Sequence, residues 1–392
     1  MNSKERLLGA LHCQPVDHPP LVLRLWSMGS SEDHFPFAWR DQVSRAEALL
    51  GLGLDDTLLL EPPLGYTENY TPDQVPGLSV SVQRETTDPT NPILRKTYLT
   101  PAGPIQMAVR RTSDWPHGED IPLFSDFNVP RFVEAPVRRL DDLAPLRCVL
   151  GDPSNQQIEA FWQTAHRLRA DADRLGVALD GGWTALGDSV VWLCGMEGLL
   201  YGQMDQPALI EGLLDVLLEW ELKRADLLIQ AGVDELVHMA WYEGSDFWTP
   251  KNYRRMLRPR LQQIIDRAHR AGIPFRYIIT RGWKPLTRDL LEMGIDCLCG
   301  VDPVQDHVDL AETRAALGGR ICLMGGMNAA LTVGTGSDAE IRGAVGEAMR
   351  VLAPGGGFIL YPVDAIFSEM AWERVQIVID QWKAHWQEKE VI

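Results

Sequence analysis

The chain has 392 residues, of which 45% are hydrophobic, so it can bury a large core as one large barrel or as two ordinary domains. A formal net charge of −17 argues against sequence-independent binding to nucleic acid or to an anionic membrane, because both need a basic surface. No stretch approaches the ~18–20 apolar residues of a membrane span, the N-terminus lacks the apolar core of a signal peptide, and the six cysteines show no disulfide spacing, so we expect a soluble, cytoplasmic protein.

The first 112 residues predict an N-terminal extension, two strands and an inserted hairpin. Residues 3–11 place their leucines on one face of a short helix, and several prolines follow it. Strands are predicted at 21–26 and 55–61, with a helix over 45–52 between them. Residues 78–112 alternate polar and apolar side chains between turn signals, which predicts an antiparallel β-hairpin insertion.

The rest of the chain repeats one kind of joint, in which an amphipathic helix meets a glycine and then a short apolar run. Glycine supplies the left-handed backbone geometry that closes a helix before a strand. Such joints occur at Gly176, Gly232, Gly272, Gly294, Gly318–Gly319 and Gly355–Gly357. Short, continuously apolar strands that alternate with helices indicate a parallel sheet buried on both faces. We therefore predict an α/β fold, a TIM-type (β/α)8 barrel that forms a single domain over residues 1–392.

Polar side chains follow the predicted strands, where the active sites of such barrels lie. The mouth is expected to be lined by seven of them: Arg24, Glu61, Glu243, Arg281, Asp302, Asn328 and Asp364. Aromatic residues fall near the same strand ends, which predicts a pocket for a flat or apolar substrate. They are Trp26, Trp183, Trp241, Tyr242, Trp248, Trp283 and Tyr361.

Some of these candidates also have a purely structural interpretation. His238 lies inside the run ELVHM, and a hydrogen-bonded core histidine is a more frequent outcome there than a catalytic one. Glu243 and Asp246 could bind a metal or serve as a general base, but they could equally cap the helix that begins at Thr249. Arg281 could clamp an anion or pair with a carboxylate on the surface.

The order and spacing of several motifs carry a resemblance to a known superfamily. They are Gly232-Val233-Asp234 before a strand, the loop from Trp241 to Trp248, Leu257-Arg258-Pro259, GIDCLCGVDPV, GGRICLMGGMNAALT and PGGGFIL. With these features the chain resembles the uroporphyrinogen decarboxylase superfamily, which contains porphyrinogen decarboxylases and cobalamin-dependent methyltransferases. The resemblance implies the TIM-type barrel that the joints predict independently.

The sequence departs from the catalytic motifs of both branches. The decarboxylases carry two arginines four apart after the first strand, where this chain has Arg24 and Met28, and a histidine in the last strand loop, which here contains Asp364. The zinc methyltransferases carry His-x-Cys where this chain has Ile279 and Arg281. Neither of these side chains can replace the deprotonated ligands that zinc needs, so zinc is not expected.

The resemblance implies a corrinoid-dependent methyltransferase or O-demethylase acting on a small methoxy-aromatic compound. The methyl group would pass to a corrinoid on a separate partner protein, and a homodimer is also compatible with the sequence. Arg281 would stabilise the leaving oxyanion, and Glu243 or Asp364 would act as general acid, so loss of Arg281 should lower turnover by about a hundredfold or more. Substrate binding is assigned to Arg24, Trp26, Glu61, His238, Tyr242, Asp302, Asn328 and Tyr361.

Two other interpretations stay open at this point. The chain could be a decarboxylase of a porphyrinogen or another polycarboxylate, with Arg24 and Arg281 as carboxylate clamps. It could also be a non-catalytic barrel that binds a small ligand, although the polar residues at several strand ends argue mildly against this.

Overall fold

The computed structural model describes residues 1–26, 35–37, 39–63, 70–71, 75–86, 88 and 90–387. Thirteen strands lie in these residues: β1 (Leu25–Trp26), β2 (Thr57–Leu60), β3 (Ser79–Glu85), β4 (Ile93–Thr100), β5 (Gly103–Arg110), β6 (Phe132–Glu134), β7 (Ala178–Ala185), β8 (Glu235–Met239), β9 (Phe275–Ile278), β10 (Cys297–Val301), β11 (Cys322–Asn328), β12 (Phe358–Val363) and β13 (Ile366–Phe367).

Twelve α-helices lie in the same described residues. They are α1 (Ser3–Leu11), α2 (Gln42–Gly51), α3 (Leu143–Val149), α4 (Asn155–Leu175), α5 (Gly187–Asp205), α6 (Pro207–Gln230), α7 (Pro250–Asn252), α8 (Arg258–Arg270), α9 (Thr287–Met293), α10 (Leu310–Leu317), α11 (Asp338–Leu352) and α12 (Trp372–Gln387). None of the helices in this part of the chain is long and apolar enough to cross a lipid bilayer.

A curved parallel sheet forms the centre of the molecule. Seven strands follow the order β12-β11-β10-β9-β8-β7-β2, with every pair parallel. The chain at Leu21 and Val22 bridges both ends of this sheet, to Leu360 on β12 and to Asp55 just before β2. This closure confirms the predicted α/β barrel.

The helix–glycine–strand joints are built as the sequence predicts. Gly176 ends α4 with φ 68°, and Gly294 ends α9 with φ 73°. An L-residue with a side chain rarely adopts this left-handed geometry, so glycine lets each helix turn directly into the next strand.

Two expectations for the N-terminal part need a correction in detail. The strand predicted over 21–26 is not one continuous element, because 21–22 only bridge the barrel and β1 pairs instead with β13. The hairpin predicted within 78–112 is present as β3, β4 and β5, but it belongs to a four-stranded antiparallel sheet that β6 completes. The fourth strand lies about twenty residues further on, beyond the predicted boundary.

Side-chain alternation along the barrel strands creates two separate packing layers. One cluster fills the inside of the barrel and contains Val237, Ile278 and Met324. The other lies between the strands and the surrounding helices and contains Leu236, Tyr277 and many further apolar side chains. A residue's position in this alternation therefore decides whether it faces the barrel interior or the helical shell.

Candidate active site

A cavity of about 420 Å³ occupies the inside of the barrel. It extends from the ends of the strands down to the level at which β2 and β9 begin. The cavity is lined by Val22, Leu23, Arg24, Leu25, Arg45, Asp56, Thr57, Leu59, Glu61, Asp180, Trp183, Arg276, Ile278, Cys299, Met324 and Tyr361. Among the residues predicted for substrate binding, Arg24, Glu61 and Tyr361 line this cavity.

At the mouth, Arg24 forms an aromatic and charged corner. Its guanidinium carbon lies 4.8 Å from the centroid of Trp183 and 6.0 Å from that of Trp241. Its Nη1 lies 3.4 Å from Oδ1 of Asp364. The Tyr361 hydroxyl donates a hydrogen bond to the backbone carbonyl of Asp364. Burial raises the pKa of the Tyr361 phenol, so this group stays protonated and can only donate or accept hydrogen bonds.

The other two arginines of the cavity are also paired with carboxyl groups. Arg45 donates from Nε to Oδ2 of Asp56 at 2.9 Å. Arg276 donates from Nη2 to Oδ2 of Asp180 at 2.5 Å, and the same nitrogen lies 2.9 Å from Oε1 of Glu235. Each guanidinium that lines the cavity therefore has a carboxyl partner on the protein itself.

Glu61 follows β2 and is the cavity-lining residue best suited to transfer a proton. Glu61 lines the cavity and is an exposed residue. Partial desolvation by the surrounding protein raises the pKa of the Glu61 carboxyl above its ordinary value, although the positive charge of Arg224 acts in the opposite direction. At any given pH, the raised pKa keeps a larger fraction of this carboxyl protonated than in a glutamate with the ordinary pKa.

Glu243 and His238 do not line the cavity, because they lie in the shell outside the strands. Both side chains have no exposure to solvent. Glu243 Oε1 accepts hydrogen bonds from the Gly187 N–H at 2.7 Å and from His238 Nε2 at 3.0 Å. Its Oε2 accepts from the Tyr277 hydroxyl at 2.7 Å, and the Thr184 hydroxyl lies 2.7 Å from His238 Nδ1. This saturated network supports the structural interpretation of His238.

The start of α5 approaches this network so closely that only glycine fits there. A Cβ atom added to Gly187 would lie 2.5 Å from Cγ of Glu243. Real Cβ atoms are not found at such distances, so the missing side chain lets the backbone N–H reach the carboxylate. Glu243 thereby joins the first turn of α5 to strands β8 and β9.

Arg281 lies on the outer rim of the barrel and does not line the cavity. Half of its side chain is exposed, and its Nε lies 3.3 Å from Oδ2 of Asp246, which is 42% exposed. The neighbouring Gly282 N–H donates to Asp306 Oδ1 at 3.1 Å. This placement corresponds to the alternative in which Arg281 pairs with a surface carboxylate.

Asp302 and Asn328 bind each other and organise the loops after β10 and β11. Asn328 Nδ2 donates to Asp302 Oδ2 at 2.6 Å. Asp302 Oδ1 accepts from the Val304 N–H at 2.8 Å, and Asn328 Oδ1 accepts from the Leu331 N–H at 2.6 Å. Both side chains are buried, so they fix the shape of the mouth without lining the cavity.

The remaining predicted positions lie beside the cavity or outside the described side chains. The backbone N–H of Tyr242 donates to buried Asp188 at 3.3 Å, and its ring packs edge-on against Phe247. Trp26 pairs through its backbone with Phe367. Met28, which stands where the decarboxylases have their second arginine, lies outside the described residues.

Comparison with known proteins identifies the family. The profile for uroporphyrinogen decarboxylase (URO-D) matches residues 124–385, which is more than half of the chain. The chain belongs to the URO-D family. Comparison of the sequence with curated proteins gives no significant match.

Among the solved structures that resemble this chain, one agrees with the family's barrel fold. A methyltransferase from Methanosarcina mazei is similar with a TM-score of 0.59 and 16% identity, over 98% of this chain and 99% of that chain. A B12-independent methionine synthase from Shewanella sp. W3-18-1 has a TM-score of 0.41 and 12% identity, over 59% of this chain and 67% of that chain. The 3-keto-D-glucoside 4-epimerase from E. coli has a TM-score of 0.36 and 12% identity, over 63% of this chain and 93% of that chain. At these identities the first similarity supports the fold alone.

The site of this URO-D family member does not fit a zinc ion held as in the zinc methyltransferases. Within the described residues, no group of three or more His, Cys, Asp or Glu side chains is arranged to hold a metal ion. The family's ligand positions here carry Ile279, which is buried, and Arg281, whose positive charge would repel a cation. These two positions therefore cannot supply zinc ligands.

Sequence reasoning missed the polar residues deeper in the barrel of this URO-D protein. Asp180, Arg276 and the Arg45–Asp56 pair line the cavity but do not follow strand ends. One signal was available, because Arg276 interrupts an otherwise apolar strand, FRYI, in which every residue is buried or nearly so. A charged residue in such a strand needs a partner inside the protein.

Proposed function

We propose that this member of the URO-D family is a methyltransferase that removes a methyl group from a small methoxy-aromatic compound. The acceptor would be the cobalt of a corrinoid on a partner protein. One observation carries the proposal most strongly: the arginines that line the cavity are already paired with carboxyl groups of the barrel. The cavity therefore suits a substrate with little net charge.

The same pairing argues against a substrate with several carboxylates. A polycarboxylate needs uncompensated cations, but Arg24, Arg45 and Arg276 each bind a carboxyl group of the protein. Burying additional carboxylates beside these pairs would cost free energy that no further cation among the cavity-lining residues offsets. The decarboxylase alternative is for this reason less well supported.

The walls of the cavity favour a small aromatic ring. Trp183 offers an indole face beside Arg24, while Ile278, Met324 and Tyr361 supply an apolar wall. A volume of about 420 Å³ lies at the lower end of the range for small-molecule pockets, so it is better matched to one ring than to a tetrapyrrole.

Demethylation requires that the methyl–oxygen bond breaks and that the electron pair remains on oxygen. Glu61 is the residue we assign to protonate this oxygen, because it lines the cavity and its pKa is raised. A reduced corrinoid, when bound, would supply the nucleophile that takes up the methyl group. Access is from the mouth, where 46% of the Asp364 side chain and 21% of the Arg24 side chain are exposed.

The direct test supplies the purified protein with reduced cobalamin and a panel of donors. Methylcobalamin formation is followed by absorbance with 2-methoxyphenol, methoxybenzene and 2-methoxybenzoate, and release of CO2 is measured with aromatic polycarboxylates and porphyrinogens. We expect methyl transfer from at least one methoxy compound. Release of CO2 without methyl transfer would favour the decarboxylase, and binding without either reaction would favour a non-catalytic barrel.

A further inference from the structure

The floor of the cavity contains a buried guanidinium held between two carboxyl groups. Arg276 enters from β9, and its Nη2 contacts Asp180 from β7 and Glu235 from β8. Thr57 on β2 adds a hydrogen bond from its hydroxyl to Asp180 Oδ2 at 2.8 Å. Only 12% of the Arg276 side chain is exposed. Four strands thus fix the position of one guanidinium at the closed end of the cavity.

The hydrogen-bond donors of Arg276 are incompletely used. Nη2 carries both carboxyl contacts, whereas the one hydrogen-bond contact of Nη1 among the described residues is with the thioether sulfur of Met324, at 3.8 Å. Nε is buried and has no partner among the described residues. Sulfur in a thioether is a weak acceptor. A buried cation with unsatisfied donors favours any ligand that brings a stronger acceptor to the same place.

The charges around this guanidinium indicate which acceptor fits. Burial raises the pKa of the Glu235 carboxyl well above its ordinary value, although the positive charge of Arg276 acts in the opposite direction. Arg276 already pairs with the carboxyl groups of both Asp180 and Glu235. A carboxylate placed there would add a negative charge beside Asp180 without a new cation, whereas a hydroxyl or carbonyl oxygen would not.

We propose that the floor of the cavity is a binding subsite for a neutral oxygen of the substrate, which accepts a hydrogen bond from Nη1 of Arg276. Met324, Asp180 and Arg276 all line the cavity, so a ligand oxygen can replace the thioether contact. If that oxygen belongs to a hydroxyl group, buried Oδ1 of Asp180, which has no partner among the described residues, is the acceptor for its proton.

This subsite defines the substrate class more narrowly. The inference rests on the proposed function for the methoxy group and adds that the ring carries a second, uncharged oxygen. The compound would therefore be a methoxylated phenol or a related hydroxyl-bearing or carbonyl-bearing ether. Arg276 acts here as a specificity-determining residue, since it contacts an oxygen of the substrate that does not react.

Binding measurements test the subsite without any need for turnover. Calorimetry on the intact protein compares 2-methoxyphenol, methoxybenzene and 2-methoxybenzoate. We expect 2-methoxyphenol to bind about tenfold more tightly than methoxybenzene, because a hydrogen bond to a charged donor is stronger than a neutral one. The anion 2-methoxybenzoate should bind more weakly than 2-methoxyphenol. This comparison of three probes on the wild-type protein requires no variant to fold.

A pair of variants attributes the preference to Arg276. Arg276→Lys keeps the positive charge but removes the guanidinium donors, so it should reduce the tenfold preference to about twofold or less. The matched control is Arg6→Lys. Arg6 is a similarly buried arginine that binds Asp17 and Asp55 but does not line the cavity. This control should retain the full preference, and thermal unfolding establishes that both variants are folded.

The possible results separate the two proposals. Equal binding of 2-methoxyphenol and methoxybenzene, or tighter binding of 2-methoxybenzoate, would contradict the subsite. So would a folded Arg276→Lys variant that keeps the preference. The expected order of affinities without methyl transfer to reduced cobalamin would contradict the proposed function alone. Failure of all three probes to bind would contradict both.

Discussion

Strands β8 and β9 carry two polar networks, one on each face of the barrel. On the inner face, Arg276 binds Asp180 and Glu235 and borders the cavity, with donors left over. On the outer face, Glu243 accepts hydrogen bonds from Tyr277 and from the start of α5, and no solvent reaches it. Arg276 and Tyr277 are adjacent in sequence and point to opposite faces of β9. Arg276 can therefore bind a ligand inside the barrel, whereas Tyr277 stabilises the packing of the outer helices.

The largest effect is expected on stability, when the outer hydrogen-bond network around Glu243 is broken. Glu243→Ala would leave the Gly187 N–H, the Tyr277 hydroxyl and His238 without their shared acceptor. The loss should be about 3 kcal/mol or more of unfolding free energy, since each buried unsatisfied group costs ~1–3 kcal/mol. Urea unfolding measures this change.

Glu243→Gln is the matched control for this experiment, because it keeps one acceptor oxygen and should lose clearly less stability. At a temperature where the Glu243→Ala variant is still folded, this variant should bind 2-methoxyphenol with an affinity close to that of the wild-type protein. Normal stability combined with a large loss of turnover would instead make Glu243 part of the chemistry.

A strong effect on turnover is expected on the inner side. Glu61→Gln removes the proposed acid and should lower methyl transfer by about a hundredfold, with little change in stability. Wild-type turnover should fall as pH rises through the raised pKa of Glu61, because the protonated form is lost, and the variant should lack that fall. Steady-state rates across pH measure both effects.

Asp246→Asn is the control for Glu61, since Asp246 is a carboxylate at the same end of the barrel but outside the cavity. It should change the rate only slightly. A Glu61→Gln variant with wild-type turnover and an unchanged pH profile would exclude Glu61 as the proton donor.

Replacing Arg281 should lower turnover much less than the sequence alone predicts. Its ion pair with Asp246 is half exposed on both sides, and exposed pairs contribute about 0–1 kcal/mol. Arg281→Ala should therefore lower turnover by less than about fivefold. A hundredfold loss in the same assay would mean that Arg281 reaches the reacting oxygen, as the sequence alone predicted.

The smallest effect is expected from removal of metal ions. A metal site formed by Glu243 and Asp246 was conceivable from the sequence, but Glu243 lies in the sealed outer network and Asp246 pairs with Arg281 on the exposed rim. Mild chelation should leave activity unchanged within error, and elemental analysis should give far less than one zinc per chain. Near-stoichiometric zinc after chelation would overturn this prediction.

The sequence predicted the barrel better than the site, for a physical reason. Helix ends are local features, so the glycine joints at Gly176 and Gly294 were readable from the chain. The direction in which the His238 side chain points could not be predicted in this way. Every residue of β8 is buried, so its apolar pattern has no period of two that would separate the inner from the outer face. Arg276 was overlooked because it lies inside a strand rather than at its end.

The polar residues that follow strand ends were all predicted to line the mouth of the barrel, but the structure places them in different environments. Arg24, Glu61 and Tyr361 line the cavity, whereas Asp302 and Asn328 bind each other. The hydrogen-bond partner of a polar residue after a strand depends on contacts between strands that are distant in the chain. A single sequence does not show these contacts. The predicted roles of these residues in binding and catalysis stay predictions until variants are measured.

A crystal structure with 2-methoxyphenol at saturating concentration would show directly whether the interior cavity binds the substrate. We expect the ring to lie in the interior cavity against Trp183, with its hydroxyl oxygen at hydrogen-bonding distance from Nη1 of Arg276 and its methoxy group directed towards Glu61. Ligand bound at the rim beside Arg281, or an interior cavity without ligand, would contradict this expectation.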